Sequence, residues 1–435
     1  MKPTKRLLLI AVGGIGMALL PILVEASLWS FWLLFWGALV LLFGVDGLLI
    51  PRRSDLSCSV ELPPHLYVGQ MDDALVRLGV ASERPVRADL LLDFSRDLVS
   101  QPEVRLTVQN QGLSCPYPLV PRRRGSVTVE EAWVRLWGPL GLTFRVERFI
   151  LGQSVSVVPN VRPVKKLALR FCSDRQFRAG LKVERYAGDG TEFESLREYL
   201  PGNDIRAIDW KASARHRKLF CREYRAERNH QIVLGIDTGR LMSESLYGMP
   251  KVDHAIHAAL MLSYVCLRTG DRVGFYTFGS EPGLFLEPQG GVKNFQGLVR
   301  ATEQIEYGTE ETNFTLGLTN LGRRLNRRSL VIVLTDFVDT VTAEMMIENL
   351  GRLSRRHHVV FVSLTDPDLE AQSLKEPTGL RSLNRSVVAG DLIRDREVVL
   401  KRLVRRGMSV IDAQPSQIEP ALVNRYLEIK RREMI

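Results

Sequence analysis

Between residues 197 and 215 the chain reads REYLPGNDIRAIDWKASAR, with three acids and four bases around one tryptophan. Acid–base chemistry needs one group held apart with a displaced pKa. Here Arg197, Glu198, Asp204, Arg206, Asp209, Lys211 and Arg215 are of mixed sign, so they mostly neutralise one another, and no nucleophile–base pair stands beside them. The pattern predicts an ion-paired clasp. Pro201-Gly202-Asn203 is a turn, and Asp204 is placed to cap a helix starting at Ile205. Ile205, Ile208 and Ala212 would share one face, and Trp210 would pack its ring while its N–H finds a partner. Glu194, Arg197 and Glu198 precede that helix, and the two acids can pair with Arg206 or Arg215 in bidentate geometry.

Other recognisable chemistry is missing. The sequence holds no GxxxxGK[ST], no HExxH and no GxSxG. His254 and His257 lie one turn apart on an apolar helix, a pattern of core or interface histidines. The five cysteines are scattered without a CxxC pair, which suits free thiols in a reducing compartment. The formal charge is +10. Basic pairs are spread over many elements without interleaved aromatics, so an anionic membrane surface explains them better than nucleic acid does.

The elements that must position any site fall into four segments. In residues 1–53, Leu7–Val24 and Ala26–Val45 are uncharged and of spanning length, with Glu25 between them. Lys2, Lys5, Arg6, Arg52 and Arg53 flank this hairpin, and its turn has no cation. Both ends are therefore expected in the cytoplasm, with the chain a multi-pass protein of the inner membrane. Asp46 sits near the inner end of the second span, where a carboxylate can reach the interface. Residues 54–160 alternate with period two between Pro and Gly turns, which predicts an antiparallel β-sandwich. Residues 161–229 carry the charged segment and a lead-in strand, LFCREYR.

From 230 to 435 apolar strands alternate with helices: QIVLGID, SLVIVLTD, HVVFVSLTD and MSVIDA are each followed by a helical pattern. Such strands are buried on both faces and predict a doubly wound parallel sheet. Function in that architecture lies beyond the carboxyl ends of the strands. Asp237 ends the first strand, Thr312-Asn313 sits in a later loop, and Thr335-Asp336 ends another strand.

This order of elements resembles the von Willebrand factor A fold, which holds a divalent cation through D-x-S-x-S, a threonine and a distal aspartate. Carried over by position, Asp237, Thr312 and Asp336 match, whereas Gly239 and Leu241 replace the two serines. The resemblance implies a degenerate magnesium site. The longer stretch GDGTEFESLREYLPGNDIRAIDWKASARHRKLFCREY resembles the signature of the bacterial "domain of unknown function 58" family. That resemblance implies an N-terminal membrane hairpin, a β-rich region, the signature, an A-like domain and a MoxR-type AAA+ ATPase as partner. The expectation is a membrane-anchored, non-enzymatic adaptor that needs no cofactor. A metal-dependent hydrolase built on the strand-end aspartates and a basic nucleic-acid-binding protein are the alternatives.

Overall fold

The computed structural model describes residues 1–18, 29–81, 84–95, 104–108, 113–164, 187–200, 205, 208–225, 229–338, 340–376 and 378–432. It is a mixed α/β structure with several sheets, and the chain divides into two units, Met1–Asn160 and Val161–Ile435.

The first unit pairs apolar helices with antiparallel sheets. Strands β2 (Leu56–Glu61), β4 (Asp72–Val80) and β7 (Leu113–Leu119) form a three-stranded sheet, in the order β2-β4-β7. The larger sheet runs β1-β9-β8-β5-β6, comprising Lys2–Pro3, Thr143–Val158, Gly125–Trp137, Val86–Phe94 and Val104–Val108. A short β3 (His65–Tyr67) pairs parallel to β9. Alternation places Ala74, Val76, Leu78 and Val80 of β4, and Ala88, Leu90 and Leu92 of β5, in the interior. β8 changes phase along its length. Val127 and Val129 are buried, then Ala132, Val134 and Leu136. The ladder with β9 slips between Val129 and Glu131, and a bulge of this kind moves every later side chain to the opposite face. Gly152, at φ +61°, sits opposite this slip. β9 is therefore one strand where the sequence reads as two.

Helix α1 (Lys5–Gly16) and helix α2 (Trp29–Leu48) belong to this unit. α2 has mean hydropathy 1.9 and is, among the described residues, the one helix long and apolar enough to cross a membrane. The other expected span, Leu7–Val24, begins as α1 and continues into residues 19–28. That stretch and the turn at Glu25 lie outside the described residues. The two helices touch where the bare Cα of Gly14 admits the Phe35 ring, and the Trp32 indole N–H donates to the Gly14 carbonyl at 2.9 Å.

Both helices are fastened to the turn between β8 and β9. Thr4 caps α1 by accepting from the Leu7 N–H, and its hydroxyl donates to the Gly141 carbonyl at 2.8 Å. Its own N–H donates to the Leu142 carbonyl. At the end of α2, Asp46 is fully buried rather than aimed at an interface. Its carboxylate accepts the N–H groups of Leu140 (2.7 Å), Leu142 (2.9 Å) and Thr143 (2.7 Å), and the Thr143 hydroxyl (2.9 Å). An acid satisfied in this way is a structural joint.

The second unit is organised by a six-stranded sheet in the order β16-β15-β12-β17-β18-β19. These strands are Pro282–Gly290, Arg272–Phe278, Gln231–Asp237, Leu330–Leu334, His358–Leu364 and Ser409–Ala413. All neighbours pair in parallel except β16, an antiparallel edge strand that the sequence does not announce. A two-residue ladder, β13 (Ser245–Leu246) with β14 (Met249–Pro250), precedes the first long helix. Helices α4 (Lys251–Arg268), α5 (Phe295–Glu303) and α10 (Ile418–Arg431) share a core with Ile232, Leu234 and Ile236 of β12. Helices α6 (Phe314–Arg324), α7 (Thr340–Ser354) and α9 (Leu380–Arg405) share the opposite core with Val233, Val331 and Val333. An eight-residue helix, α8 (Pro367–Leu374), precedes α9. The order of connections reverses between β12 and β17, so the crevice between their carboxyl ends is where this sheet presents side chains to a site.

Asp46→Ala is expected to destabilise the first unit by about 3 kcal/mol or more, because the buried Leu142 and Thr143 N–H groups and the Thr143 hydroxyl lose their acceptor at about 1–3 kcal/mol each. Thermal melting of the full chain in detergent reads this, and an unchanged midpoint would show that the joint does not hold the helix end.

Candidate functional site

Asp237, Thr312 and Asp336 converge in that crevice. Asp237 is the last residue of β12 and is almost fully buried. One carboxylate oxygen accepts the Gly239 N–H at 2.8 Å and the Thr312 hydroxyl at 2.6 Å, and the other accepts the Thr335 hydroxyl. Thr312 is delivered by the loop before α6, whose N-terminus is capped by Asn313. These bonds link the end of β12 to the α6 loop on one side and to the end of β17 on the other.

Asp336 is held differently. One oxygen takes the Lys251 ammonium at 2.7 Å, and the other takes the Arg396 guanidinium at 2.8 Å and the Phe337 N–H at 3.0 Å. Lys251 opens α4 and also reaches Glu244 at 3.3 Å. Arg396 comes from α9, continues to Asp412 at 2.9 Å and to the Leu364 carbonyl at 2.8 Å, and lies over the Phe337 ring. The acid and both cations are shielded, with side-chain exposures of 7%, 11% and 19%.

The two carboxyls therefore titrate in opposite directions. Burial raises Asp237 from 3.8 to about 6, against the hydrogen bonds from Thr312, Thr335 and Gly239. Burial also pushes Asp336 up, but the charges of Arg396 and Lys251 outweigh it and hold this carboxyl below its usual range. Lys251 itself is raised, since the pull of Asp336 and Glu244 exceeds the effect of burial.

The residues present do not fit the divalent cation that the fold resemblance implies. Magnesium takes near-octahedral oxygen ligands at about 2.0–2.1 Å. Both oxygens of Asp336 are already bonded to protein cations, and a serine at residue 239 would have to displace the Thr312 side chain. A Cβ there would stand 2.0 Å from the Thr312 hydroxyl and 3.2 Å from the Asp237 carboxylate. Leu241 is only half-buried, and Met242 is the residue of this turn that enters the core. Among the described residues no three His, Cys, Asp or Glu side chains are grouped to hold a metal. His254 faces the Leu246 carbonyl at 3.0 Å and is depressed by burial, which is a structural role.

The charged segment at 197–215 departs from its predicted form. Asp204 and Arg206 lie outside the described residues. The described helix is α3 (Trp210–His216), capped by Asp209 through the Lys211 and Ala212 N–H groups at 3.0 Å. α3 is packed beside a two-stranded ribbon, β10 (Ala187–Glu198) with β11 (Phe220–Arg225). Arg197 stands opposite Cys221 in that ladder. Glu198 pairs with Lys218 at 3.1 Å on the surface, where an ion pair contributes under about 1 kcal/mol. Main-chain bonds also tie the described segment together: Tyr199 N–H to Leu219 O, Asp209 N–H to Phe220 O, and Phe220 N–H to the Ser213 hydroxyl. Trp210 does not pack: it is 68% exposed, and Arg215 is exposed as well. Leu196, Leu200, Ile205 and Leu219 are exposed too.

Lys251 and Arg396 are the residues that sequence reasoning missed. Lys251 had a signal, because a cation in the first helical turn opposes the helix dipole and wants a compensating anion. Arg396 had none, standing among the other charges of LIRDREVVLKR.

The class defined by this fold is a mixed α/β protein with a β-rich unit, one N-terminal apolar helix and an ion-paired crevice at its strand ends. Residues 195–374 match the family model described as "Protein of unknown function DUF58". "Uncharacterized protein Rv1480" of Mycobacterium tuberculosis is 23% identical over 182 residues, which are 41% of this chain and 56% of that protein. This chain thus spans little more than half the length of the mycobacterial relatives it matches. "Uncharacterized protein YeaD" of Bacillus subtilis is 27% identical over 106 residues, 24% of each chain. Among solved structures, BatB from Bacteroides thetaiotaomicron covers 47% of this chain and 100% of its own (TM-score 0.30, 13% identity). Proximal thread matrix protein 1 from the mussel byssus, with a zinc-occupied MIDAS motif, covers 46% of each chain (TM-score 0.28, 16% identity). Likenesses this distant carry no argument about the site.

Gly239→Ser is expected to lower the thermal midpoint and to gain no magnesium affinity, since its Cβ has no room beside Thr312. Tight magnesium binding by calorimetry at an unchanged midpoint would contradict the geometry. A second expectation concerns pH. Folded Asp237 keeps its proton to higher pH than the unfolded carboxyl, so its contribution is full below about pH 4 and is lost as pH rises through about 6. Asp237→Asn removes that slope, and relative to wild type the variant should gain up to roughly 3 kcal/mol between pH 4 and 7. Melting curves that run parallel across that range would refute the assignment.

Proposed function

We propose that this protein is a membrane-anchored, non-enzymatic adaptor whose α/β unit, a metal-free von Willebrand A-like doubly wound domain, binds protein partners. The observation that carries this reading is the state of the strand-end acids. Asp336 is saturated by Lys251 and Arg396, and Asp237 is saturated by three protein donors. Hydrolysis would need a free base, a nucleophile or an open coordination position, and this donor set supports none of them. The hydrolase reading loses its support with them.

Two apolar spans with both ends cytoplasmic remain the topology favoured by the flanking cations, with α2 as the anchor that supports it. The family resemblance suggests a MoxR-type AAA+ ATPase as partner. The surface best suited to receive one is the segment around α3, where Leu200, Trp210 and Leu219 stand exposed on a backbone fixed by the Asp209 cap and the bonds to β11. Exposed aromatics on a rigid frame are the usual anchors of protein interfaces.

Trp210→Ala should therefore reduce co-purification of the full chain with a MoxR-type ATPase by tenfold or more, with the melting midpoint unchanged. Undiminished co-purification would remove Trp210 from the interface. A lowered midpoint would make the segment structural instead.

A further inference from the structure

We infer that Lys251 and Arg396 are internal substitutes for a divalent cation, so that the strand-end crevice is complete without metal and closed to one. This uses only the fold resemblance from the reading above and is independent of any partner. The argument begins with charge. Asp237 and Asp336 are 1% and 5% exposed, and two buried acids at adjacent strand ends need positive charge beside them. A divalent ion would deliver two charges from solvent. Here one ammonium and one guanidinium deliver the same two from the chain, each within 2.8 Å of a separate Asp336 oxygen.

The placement of the two cations is as specific as ligation would be. Lys251 lies at the first residue of α4, which packs on one face of the sheet, and Arg396 lies on α9, which packs on the other. The two helices thus meet over the carboxyl edge of the sheet at a single carboxylate. Outer acids balance each cation: Glu244 on Lys251, and Asp412 on Arg396. Ser363, one strand over, donates its hydroxyl to Asp336 at 3.3 Å and accepts from Arg396. On the Asp237 side, side chains at residues 239 and 308 are excluded by close neighbours. Thr312 fills the volume that a side chain at residue 239 would use, and a Cβ on Gly308 would stand 2.1 Å from the Thr238 carbonyl. The carboxylate oxygens that could ligate an ion are therefore spent on protein donors.

A substitute cation makes a prediction that an ordinary buried ion pair does not. Once the ammonium is removed, the acids it neutralised should accept a metal ion in its place. The test uses the full chain purified in detergent, with MgCl2, MnCl2 or CaCl2 at millimolar concentration set against EDTA. Wild type should carry less than a tenth of an equivalent of divalent metal by elemental analysis, and its midpoint should not respond to any of the three ions. Lys251→Met should melt several degrees lower, and at least one ion should recover half or more of that loss. Lys251→Arg, which keeps the charge, should melt near wild type and ignore metal. A wild type holding one equivalent of metal would overturn the inference, even if Lys251→Met fails to fold. A Lys251→Met chain that is destabilised but recovered by no ion would overturn it too, as would one that melts like wild type. None of these results bears on co-purification through Trp210, so the adaptor reading stands or falls separately.

Discussion

One buried carboxylate, Asp336, fixes the arrangement of the α/β unit. Its two oxygens are claimed by Lys251 and Arg396, 85 residues before it and 60 after it in the chain. Burying an acid without partners is costly, and breaking such a pair on one side typically costs about 3–5 kcal/mol. The helices that bring the cations are thus held in place at one end by charge and along their length by apolar packing. The parallel strands set the height of the acid above the sheet. The reversal of connections between β12 and β17 then opens the gap that the cations fill.

Asp237, one strand away, shows how differently the same residue type behaves under another set of neighbours. It has hydroxyls and an N–H where Asp336 has full positive charges, so burial dominates and the carboxyl moves up to about 6. A pair of acids driven apart in pKa is often the mark of acid–base catalysis. Here each is already bonded on both oxygens, and the divergence follows from packing two acids into one crevice in which both cations bond directly to Asp336. The first unit uses a buried acid in a third way. Asp46 gathers three N–H groups and a hydroxyl at the β8–β9 turn, which fixes the end of an apolar helix through hydrogen bonds to a charged acceptor.

What the sequence makes legible follows the same physics. QIVLGID, SLVIVLTD and HVVFVSLTD read as strands because both faces are buried, and Asp237 and Asp336 stand out as charges directly after apolar runs. β16 escapes notice because its residues are only partly buried and two prolines interrupt the run PGLFLEPQG. The bulge in β8 hides a change of face that alternation cannot signal in advance. The helix expected from Ile205 to Ala212 is not continuous: Ile208 bridges to Cys221, and α3 begins at Trp210 behind the Asp209 cap. Trp210 then follows the cap directly, on a turn whose outer face is open to solvent. The ionic centre is the least legible feature. Lys251 and Arg396 are ordinary charges in local sequence, and only the sheet order brings them to one acid.

That centre also limits where recognition can take place on the proposed reading. A metal at the strand ends could bind an acidic side chain of a partner through an open coordination position. An ammonium and a guanidinium already saturated by Asp336, Glu244 and Asp412 have no equivalent vacancy, and pulling one away would expose a buried charge. Specificity drawn from the crevice would therefore destabilise the domain that offers it. The segment around α3 carries no such penalty. Its backbone is satisfied internally by the Asp209 cap and the ladder to β11, and its apolar side chains already face solvent. Covering them gains hydrophobic free energy at about 25 cal/mol per Å² without unmaking a bond. The crevice is thus suited to holding the unit together, and the exposed segment to meeting something outside it.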